Sequence, residues 1–194
     1  MARNFNTITG IMSMRVTSFY KQYKGYKVQM KDIHSTKRIL VLKGENGSGK
    51  STILKAMNNM ISYKGLIDSK GTKSYMNEII RFPSDMTVLE IVNSINCIDG
   101  VSKEKMITLI DQFELIDEIN KKISTLSKGM KMKLQLVCTF LVEKDIYILD
   151  EPFSGLDHAS VIRLVGYIQK STKKFVIATH IDLEWKQDCD VIMI

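Results

Sequence analysis

The sequence predicts an α/β fold built on a largely parallel sheet, because short, nearly apolar runs alternate with helical patterns along the chain. The 194 residues suit one domain, and 44% hydrophobic with 25% charged residues is the composition of a globular protein. The clearest strands are residues 39–43, 146–149, 175–179 and 191–194. Since these runs carry few polar side chains, we expect both faces of the sheet to be covered.

Three other stretches complete the predicted fold. Residues 14–33 alternate weakly between polar and apolar side chains, which favours an antiparallel β region. Apolar residues recur at helical spacing over residues 51–61. From residue 78 to 126 strand signals give way to helical patterns, opened by the capping-box sequence of Thr87 and Glu90. We therefore expect a helical insertion between two parts of an α/β core.

These patterns predict a single domain over residues 1–194. Its α/β core would comprise residues 14–77 and 127–194, its helical subdomain residues 78–126, and residues 1–13 would be an extension. No apolar run is long enough to cross a bilayer, and the first residues lack the apolar segment of a signal peptide. A cytoplasmic location is therefore expected.

The net charge of +7 could indicate a nucleic-acid partner or an anionic membrane surface. However, the lysines are scattered, and aromatic residues do not interleave with them as they do on a surface that stacks bases. We expect a solvated basic surface and no nucleic-acid partner. The three cysteines are widely spaced and form no CxxC pair, which argues against a disulfide framework or a zinc site.

A glycine-rich loop directly follows the strand at residues 39–43 and leads into the predicted helix. Its sequence matches the GxxxxGK[ST] pattern of a phosphate-binding P-loop in the required strand–loop–helix context. Glycines let successive backbone N–H groups turn toward a phosphate, while Lys50 can reach the outer phosphates and Ser51 can bind Mg²⁺. A simple turn would need neither side chain. This phosphate loop comprises Gly44, Glu45, Asn46, Gly47, Ser48, Gly49, Lys50, Ser51 and Thr52.

The apolar strand at residues 146–149 ends in two acidic residues, Asp150 and Glu151. Carboxylates at the C-terminal end of such a strand lie where α/β sheets bind ligands. Asp150 would hold Mg²⁺, and Glu151 would orient or deprotonate the water that attacks the γ-phosphate. Alone, the pair would be better explained as two solvated acids at a strand end; together with the phosphate loop it predicts a phosphoryl-transfer site.

Beyond these two motifs, the chain resembles the ABC (ATP-binding cassette) ATPases. The sequence LSKGM at residues 126–130 resembles the family signature, and SGLD at residues 154–157 resembles the D-loop. His180 ends an apolar strand and resembles the switch histidine. The motifs occur in the family's order over residues 14–194, and the NKxD motif of GTPases is absent from the sequence. The resemblance implies an ATP hydrolase with a P-loop NTPase fold.

The family resemblance also implies a head-to-tail pair of ATPase subunits that sandwich ATP at their interface. Ser127 and Gly129 of one subunit would then meet the γ-phosphate of ATP bound in the phosphate loop of the other. His180 would contact the γ-phosphate and Glu151. Asp157 would belong to the same nucleotide-binding interface.

Several positions depart from the commonest family pattern. Lys128 stands where glycine is most frequent, and this form of the signature is similar to ATPases of exporters for drugs, lipids or antimicrobial peptides. Glu78 stands where the Q-loop glutamine is usual, and its carboxylate could sense Mg²⁺ or its water. Tyr23 lies where an aromatic residue commonly stacks on adenine, with Tyr20 and Tyr26 as competitors.

Two classes of function are compatible with these motifs. A transporter motor would need a separate transmembrane permease and would lie on the inner face of the membrane. The family resemblance implies that the permease docks on the helical insertion of residues 78–126, with closure transmitted through residues 78–85. A soluble ABC ATPase acting on nucleic acid, the ribosome, regulation or immunity is the alternative. Because no heptad pattern for a long coiled coil appears and only one cassette is present, the transporter motor is favoured.

Overall fold

The computed structural model describes residues 13–79, 81–186 and 188–194, with side chains except at residues 96–99. The expected N-terminal extension lies outside the described residues apart from Ser13. In chain order the strands and helices are β1 (Met14–Tyr23), β2 (Tyr26–Gln29), β3 (Ile33–Ser35), β4 (Ile39–Lys43), α1 (Lys50–Met57), β5 (Lys64–Asp68), β6 (Lys73–Met76), α2 (Val88–Asp99), α3 (Lys103–Gln112), α4 (Lys128–Leu141), β7 (Ile146–Asp150), α5 (His158–Lys170), β8 (Lys174–Thr179) and β9 (Cys189–Met193).

The central sheet has five parallel strands in the order β6–β7–β8–β4–β9, which confirms the predicted fold class. Successive side chains of a strand point to opposite faces, so an apolar strand supplies two cores at once. In β4, Ile39 and Val41 belong to one core, whereas Leu40 and Leu42 belong to the other. The sheet is therefore covered on both faces, as its composition predicted.

A second sheet is antiparallel and is organised around β1, which pairs with β2, β3 and β5. Its register against β5 shifts between Thr17 and Tyr20, where Ser18 adopts a left-handed backbone with φ of 51°. Buried residues of β1 share a core with α1 and one face of the parallel sheet. The predicted antiparallel region is confirmed, and β5 extends it beyond the predicted residues.

The other face of the parallel sheet is covered by a core that α2 to α5 share. The predicted capping box begins α2: the Thr87 backbone N–H donates to Glu90 Oε2 (2.7 Å), and the Glu90 N–H donates to Thr87 Oγ1 (3.2 Å). The Thr87 backbone N–H and hydroxyl both donate to Glu90 Oε2, and these two bonds hold the pKa of the Glu90 carboxyl below its usual value. In the described part of the chain, no helix is long and apolar enough to span a membrane.

The helix ends differ from the sequence-based expectations because local capping decides them. Helix α1 ends at Met57, four residues early, where Asn59 turns into a left-handed backbone with φ of 57°. Helix α4 begins at Lys128, inside the LSKGM sequence, because the Ser127 side chain caps it by accepting from the Met130 N–H. Helix α5, which the sequence analysis did not predict, is capped in the same way by Asp157.

Candidate functional site

The parallel sheet brings the predicted catalytic segments to one edge. Strand β8 lies between β7 and β4, with Asp150 beside Ala178 and Lys43 beside Thr179. The strands therefore end together, so the phosphate loop, the acidic pair and His180 meet at their carboxyl ends. This is the edge at which open α/β sheets bind ligands.

A cavity of about 420 Å³ lies against the phosphate loop. Gly49 is required there: its φ is 103°, and an added Cβ would lie 2.6 Å from Val28 Cγ1. The Ser48 hydroxyl is buried and has no hydrogen-bond partner within the described residues, as expected for a loop shaped around an anionic ligand. The cavity is lined by Tyr26, Val28, Asn46, Gly47, Gly49, Lys50, Ser51, Thr52, Glu78 and Glu151.

Lys50 is buried and turned back onto its own loop. Its Nζ donates to the carbonyl oxygens of Gly44 (2.8 Å) and Glu45 (2.9 Å), and it lies 3.4 Å from Glu151 Oε1. The Lys50 and Glu151 side chains are 5% and 6% exposed. Each therefore compensates the buried charge of the other, which would be costly if it were unpaired. A phosphate entering the loop would compete for this same ammonium group.

Glu151 has a strained backbone conformation, and its side chain contacts His180. It adopts φ of 48°, a left-handed conformation that costs a non-glycine residue about 1–3 kcal/mol and is typical of functional sites. Its N–H donates to the Ala178 carbonyl (2.9 Å), and its Oε2 lies 2.9 Å from His180 Nδ1. An ionised carboxylate can only accept, so Nδ1 acts as the donor. The structure thus places Glu151 between the predicted switch histidine and Lys50.

Asp150 is 1% exposed and accepts hydrogen bonds on both oxygens. Ser51 Oγ donates to Oδ1 (3.0 Å), and the Tyr75 hydroxyl donates to Oδ2 (3.1 Å). Burial raises the pKa of the Asp150 carboxyl, against the opposing effect of the Ser51 and Tyr75 hydrogen bonds. Burial also raises the pKa of the Tyr75 hydroxyl, so it stays a neutral donor.

The Asp150 and Ser51 pair fits Mg²⁺. Within residues 13–79, 81–186 and 188–194, no salt bridge reaches the buried Asp150 carboxylate, so a cation would compensate its charge. No group of three or more His, Cys, Asp or Glu side chains able to hold a metal occurs among the described residues either. Mg²⁺ needs no such cage, because it commonly takes one or two protein oxygens with water and substrate phosphates.

The signature packs against the D-loop and not against the cavity of its own chain. Lys128 Nζ donates to Ser154 Oγ (3.3 Å). A Cβ added at Gly129 would lie 2.7 Å from the Gly155 carbonyl oxygen, so only glycine permits this close approach. Ser127 and Gly129 are not among the residues that line the cavity.

The three candidate tyrosines for adenine stacking lie at different positions relative to the cavity. Tyr26 lines the cavity, whereas Tyr23 stacks on Tyr26 with 4.7 Å between ring centroids and places its hydroxyl 3.5 Å from Thr52 Oγ1. Tyr20 donates instead to Gln22. Because β1 and β2 pair Tyr23 with Tyr26 across a tight turn, only the folded hairpin decides which ring faces the loop. Glu78 lines the cavity, as its Q-loop position would require.

Tyr75 is a site residue that the sequence analysis did not identify. No sequence motif marks a tyrosine on β6 as a partner of the acidic pair. The contact with Asp150 depends on the pairing of β6 with β7. Val28 was missed for the same reason, since it reaches the phosphate loop from the antiparallel sheet.

Comparison with known proteins agrees with this site. A family model described as ABC transporter matches residues 31–154. The chain belongs to the ABC transporter family. It is thus an ATP-hydrolysing ABC ATPase. It is 33% identical over 176 residues to the cytochrome c biogenesis ATP-binding export protein CcmA of Reclinomonas americana, covering 80% of this chain and 78% of that one.

The ABC ATPase is also similar to a solved structure and to an elongation factor. A solved structure described as an ABC transporter (ATP-binding protein) from Pyrococcus furiosus has a TM-score of 0.78 at 22% identity, covering 92% of this chain and 96% of that one. That likeness supports the fold. Elongation factor 3 of Candida albicans is 35% identical over 139 residues, which are 71% of this chain and 13% of that protein. The chain spans 42% to 72% of the length of other curated relatives that are described as ABC transporter ATP-binding proteins.

Proposed function

We propose that this ABC ATPase is the motor of a membrane transporter, in which ATP-driven closure of two ATPase subunits is coupled to transport by a separate transmembrane permease. The observation that carries the proposal is the match of residues 31–154 to the ABC transporter family, in a chain whose Lys50, Glu151 and His180 lie together beside the phosphate loop. Export of a peptide, lipid or drug-like cargo is supported by the LSKGM signature and by the likeness to an export protein. The subunit would lie on the inner face of the membrane.

In the proposed reaction the phosphates of ATP occupy the phosphate loop, and the Lys50 ammonium exchanges carbonyl partners for phosphate oxygens. Glu151 accepts a hydrogen bond from the attacking water and holds it in line with the γ-phosphate. Asp150 and Ser51, with Glu78 nearby, would hold Mg²⁺, which when bound neutralises charge on the outer phosphates. Positioning and charge neutralisation are what phosphoryl transfer chiefly requires.

Two ATPase subunits arranged head to tail would complete this site. The Ser127 hydroxyl and the Gly129 N–H lie at the N-terminus of α4, a geometry suited to an anion, yet outside the cavity of their own chain. In the pair they would face the γ-phosphate held by the other subunit, with Asp157 at the same interface. His180, which is 50% exposed, is accessible to the γ-phosphate, and Tyr26 would stack on adenine.

Purification of the tagged protein from detergent-solubilised membranes tests the transporter proposal. We expect a multi-span membrane protein to co-purify, and the double substitution R81A/D85A to release it. Both side chains are exposed, and both residues follow the cavity residue Glu78 closely in the chain. The matched control R15A/D68A removes the same charges from exposed positions of β1 and β5 and should retain the partner.

The likeness to elongation factor 3 makes ribosome-associated ATPase activity the second candidate function. Recovery of ribosomes or nucleic acid without a membrane protein would favour this candidate and overturn the transporter proposal. The ATPase chemistry would be unaffected, because the residues around the phosphate loop serve both functions.

Lys128→Ala is expected to lower the ATPase rate roughly two- to tenfold with ATP affinity unchanged. It removes the hydrogen bond to Ser154 and the packing of the lysine stem over Gly155, and a net hydrogen bond is worth about 0.5–1.5 kcal/mol. Steady-state phosphate release measures the rate. Lys131→Ala removes an equal charge from the same helix, so an equal loss in both variants would contradict a specific contact between signature and D-loop.

A further inference from the structure

We propose that Tyr75 is a positioning residue, which orients the Asp150 carboxylate for Mg²⁺. The inference rests on the proposed function, because it assigns a role within the same ATP site. Tyr75 lies on β6, an edge strand of the parallel sheet, and its hydroxyl donates to Asp150 Oδ2 at 3.1 Å. None of the sequence motifs includes this residue.

Strand register places the tyrosine where it can reach the carboxylate. Tyr75 pairs with Ile148 on the neighbouring strand β7. Ile148 and Asp150 are two residues apart, so their side chains project from the same face of the sheet. To reach Asp150, the tyrosine side chain must cross from β6 to β7 and extend two residues along β7, from Ile148 to Asp150. A shorter hydroxyl side chain at this position would not cover that distance.

The two oxygens of Asp150 have different partners, and this difference defines the role. Oδ1 accepts from Ser51, the phosphate-loop hydroxyl expected to bind Mg²⁺, whereas Oδ2 accepts from Tyr75. A cation shared by Ser51 and Asp150 would meet Oδ1. By holding Oδ2, Tyr75 keeps the buried carboxylate from rotating and leaves Oδ1 turned toward Ser51. Without the tyrosine hydroxyl, a buried carboxylate oxygen would lose its partner.

The test compares Tyr75→Phe with Tyr147→Phe. Tyr147 is a buried tyrosine of strand β7, and its hydroxyl donates to the Val142 carbonyl at 3.0 Å, away from Asp150. A fluorescent ATP analogue is titrated into the purified protein over a range of Mg²⁺ concentrations, and again in EDTA. Loss of a group that orients a metal ligand typically weakens metal affinity about 10–100-fold. We expect Y75F to raise the half-saturating Mg²⁺ concentration by roughly that factor, with nucleotide affinity in EDTA unchanged and Y147F like wild type.

An unchanged Mg²⁺ requirement in Y75F overturns the inference, as does an equal shift in Y147F or an equal loss of nucleotide affinity in EDTA. Thermal melting of both variants establishes that they are folded. Tyr75→Met, which also lacks the hydroxyl, carries the same expectation if Y75F does not fold. Failure of the wild-type protein to bind the nucleotide would refute the proposed function itself, whereas Mg²⁺-dependent wild-type binding with normal Y75F refutes only the role of Tyr75.

Discussion

Glu151→Gln is expected to slow ATP hydrolysis by roughly 10²- to 10⁴-fold, the usual contribution of a positioned general base. The glutamine keeps the size of the side chain but cannot take a proton from water. ATP binding should persist or strengthen, because the substitution removes the carboxylate that lies 3.4 Å from Lys50 and competes for its ammonium group. Phosphate release measures turnover, and equilibrium binding measures affinity.

The same substitution should also favour a trapped ATP-bound dimer, since ligand that cannot be hydrolysed stabilises the closed state by mass action. Size-exclusion chromatography with ATP detects it. Glu143→Gln is a suitable control, because Glu143 is largely exposed and pairs with Lys105 and Lys173 away from the phosphate loop. A normal hydrolysis rate in Glu151→Gln would remove the water-positioning role from this residue.

Lys50→Ala is expected to reduce nucleotide affinity by about 10–150-fold, the equivalent of losing a hydrogen bond to a charged group worth about 1.5–3 kcal/mol. Turnover should become undetectable, because the outer phosphates lose the cation that neutralises them. Binding of a fluorescent ATP analogue and phosphate release check the two effects. Lys170→Ala removes an exposed cation from the end of α5 and should change neither.

A second consequence of Lys50→Ala concerns stability. Breaking a buried ion pair by removing one partner costs about 3–5 kcal/mol, because the other charge is left uncompensated. In the Lys50→Ala variant the buried Glu151 carboxylate would be the uncompensated charge, with only the His180 contact remaining. We expect a lower melting temperature in the single variant and partial recovery in Lys50→Ala/Glu151→Gln. Equal melting temperatures of all three proteins would show that the pair contributes nothing to stability.

The sequence by itself determined the fold class and the location of the phosphate loop, because both follow from local patterns. Apolar runs such as residues 39–43 form strands that must be buried on both faces. In the structure one face of the parallel sheet packs against helices α2 to α5, and the other packs against α1 and the antiparallel sheet. The capping box at Thr87 and Glu90 likewise depends on residues three positions apart and forms as expected.

Tertiary structure alone decided which side chains meet at the site, because those contacts join residues far apart in the chain. The turn between β1 and β2 puts Tyr26, and not Tyr23, at the cavity. The pairing of β6 with β7 brings the Tyr75 hydroxyl to Asp150. The position of β8 between β7 and β4 adds Lys50 to the contact of His180 with Glu151, which the family resemblance had implied. Side-chain patterns specify strands and loops, whereas strand order and register, set by packing of the whole chain, specify partners.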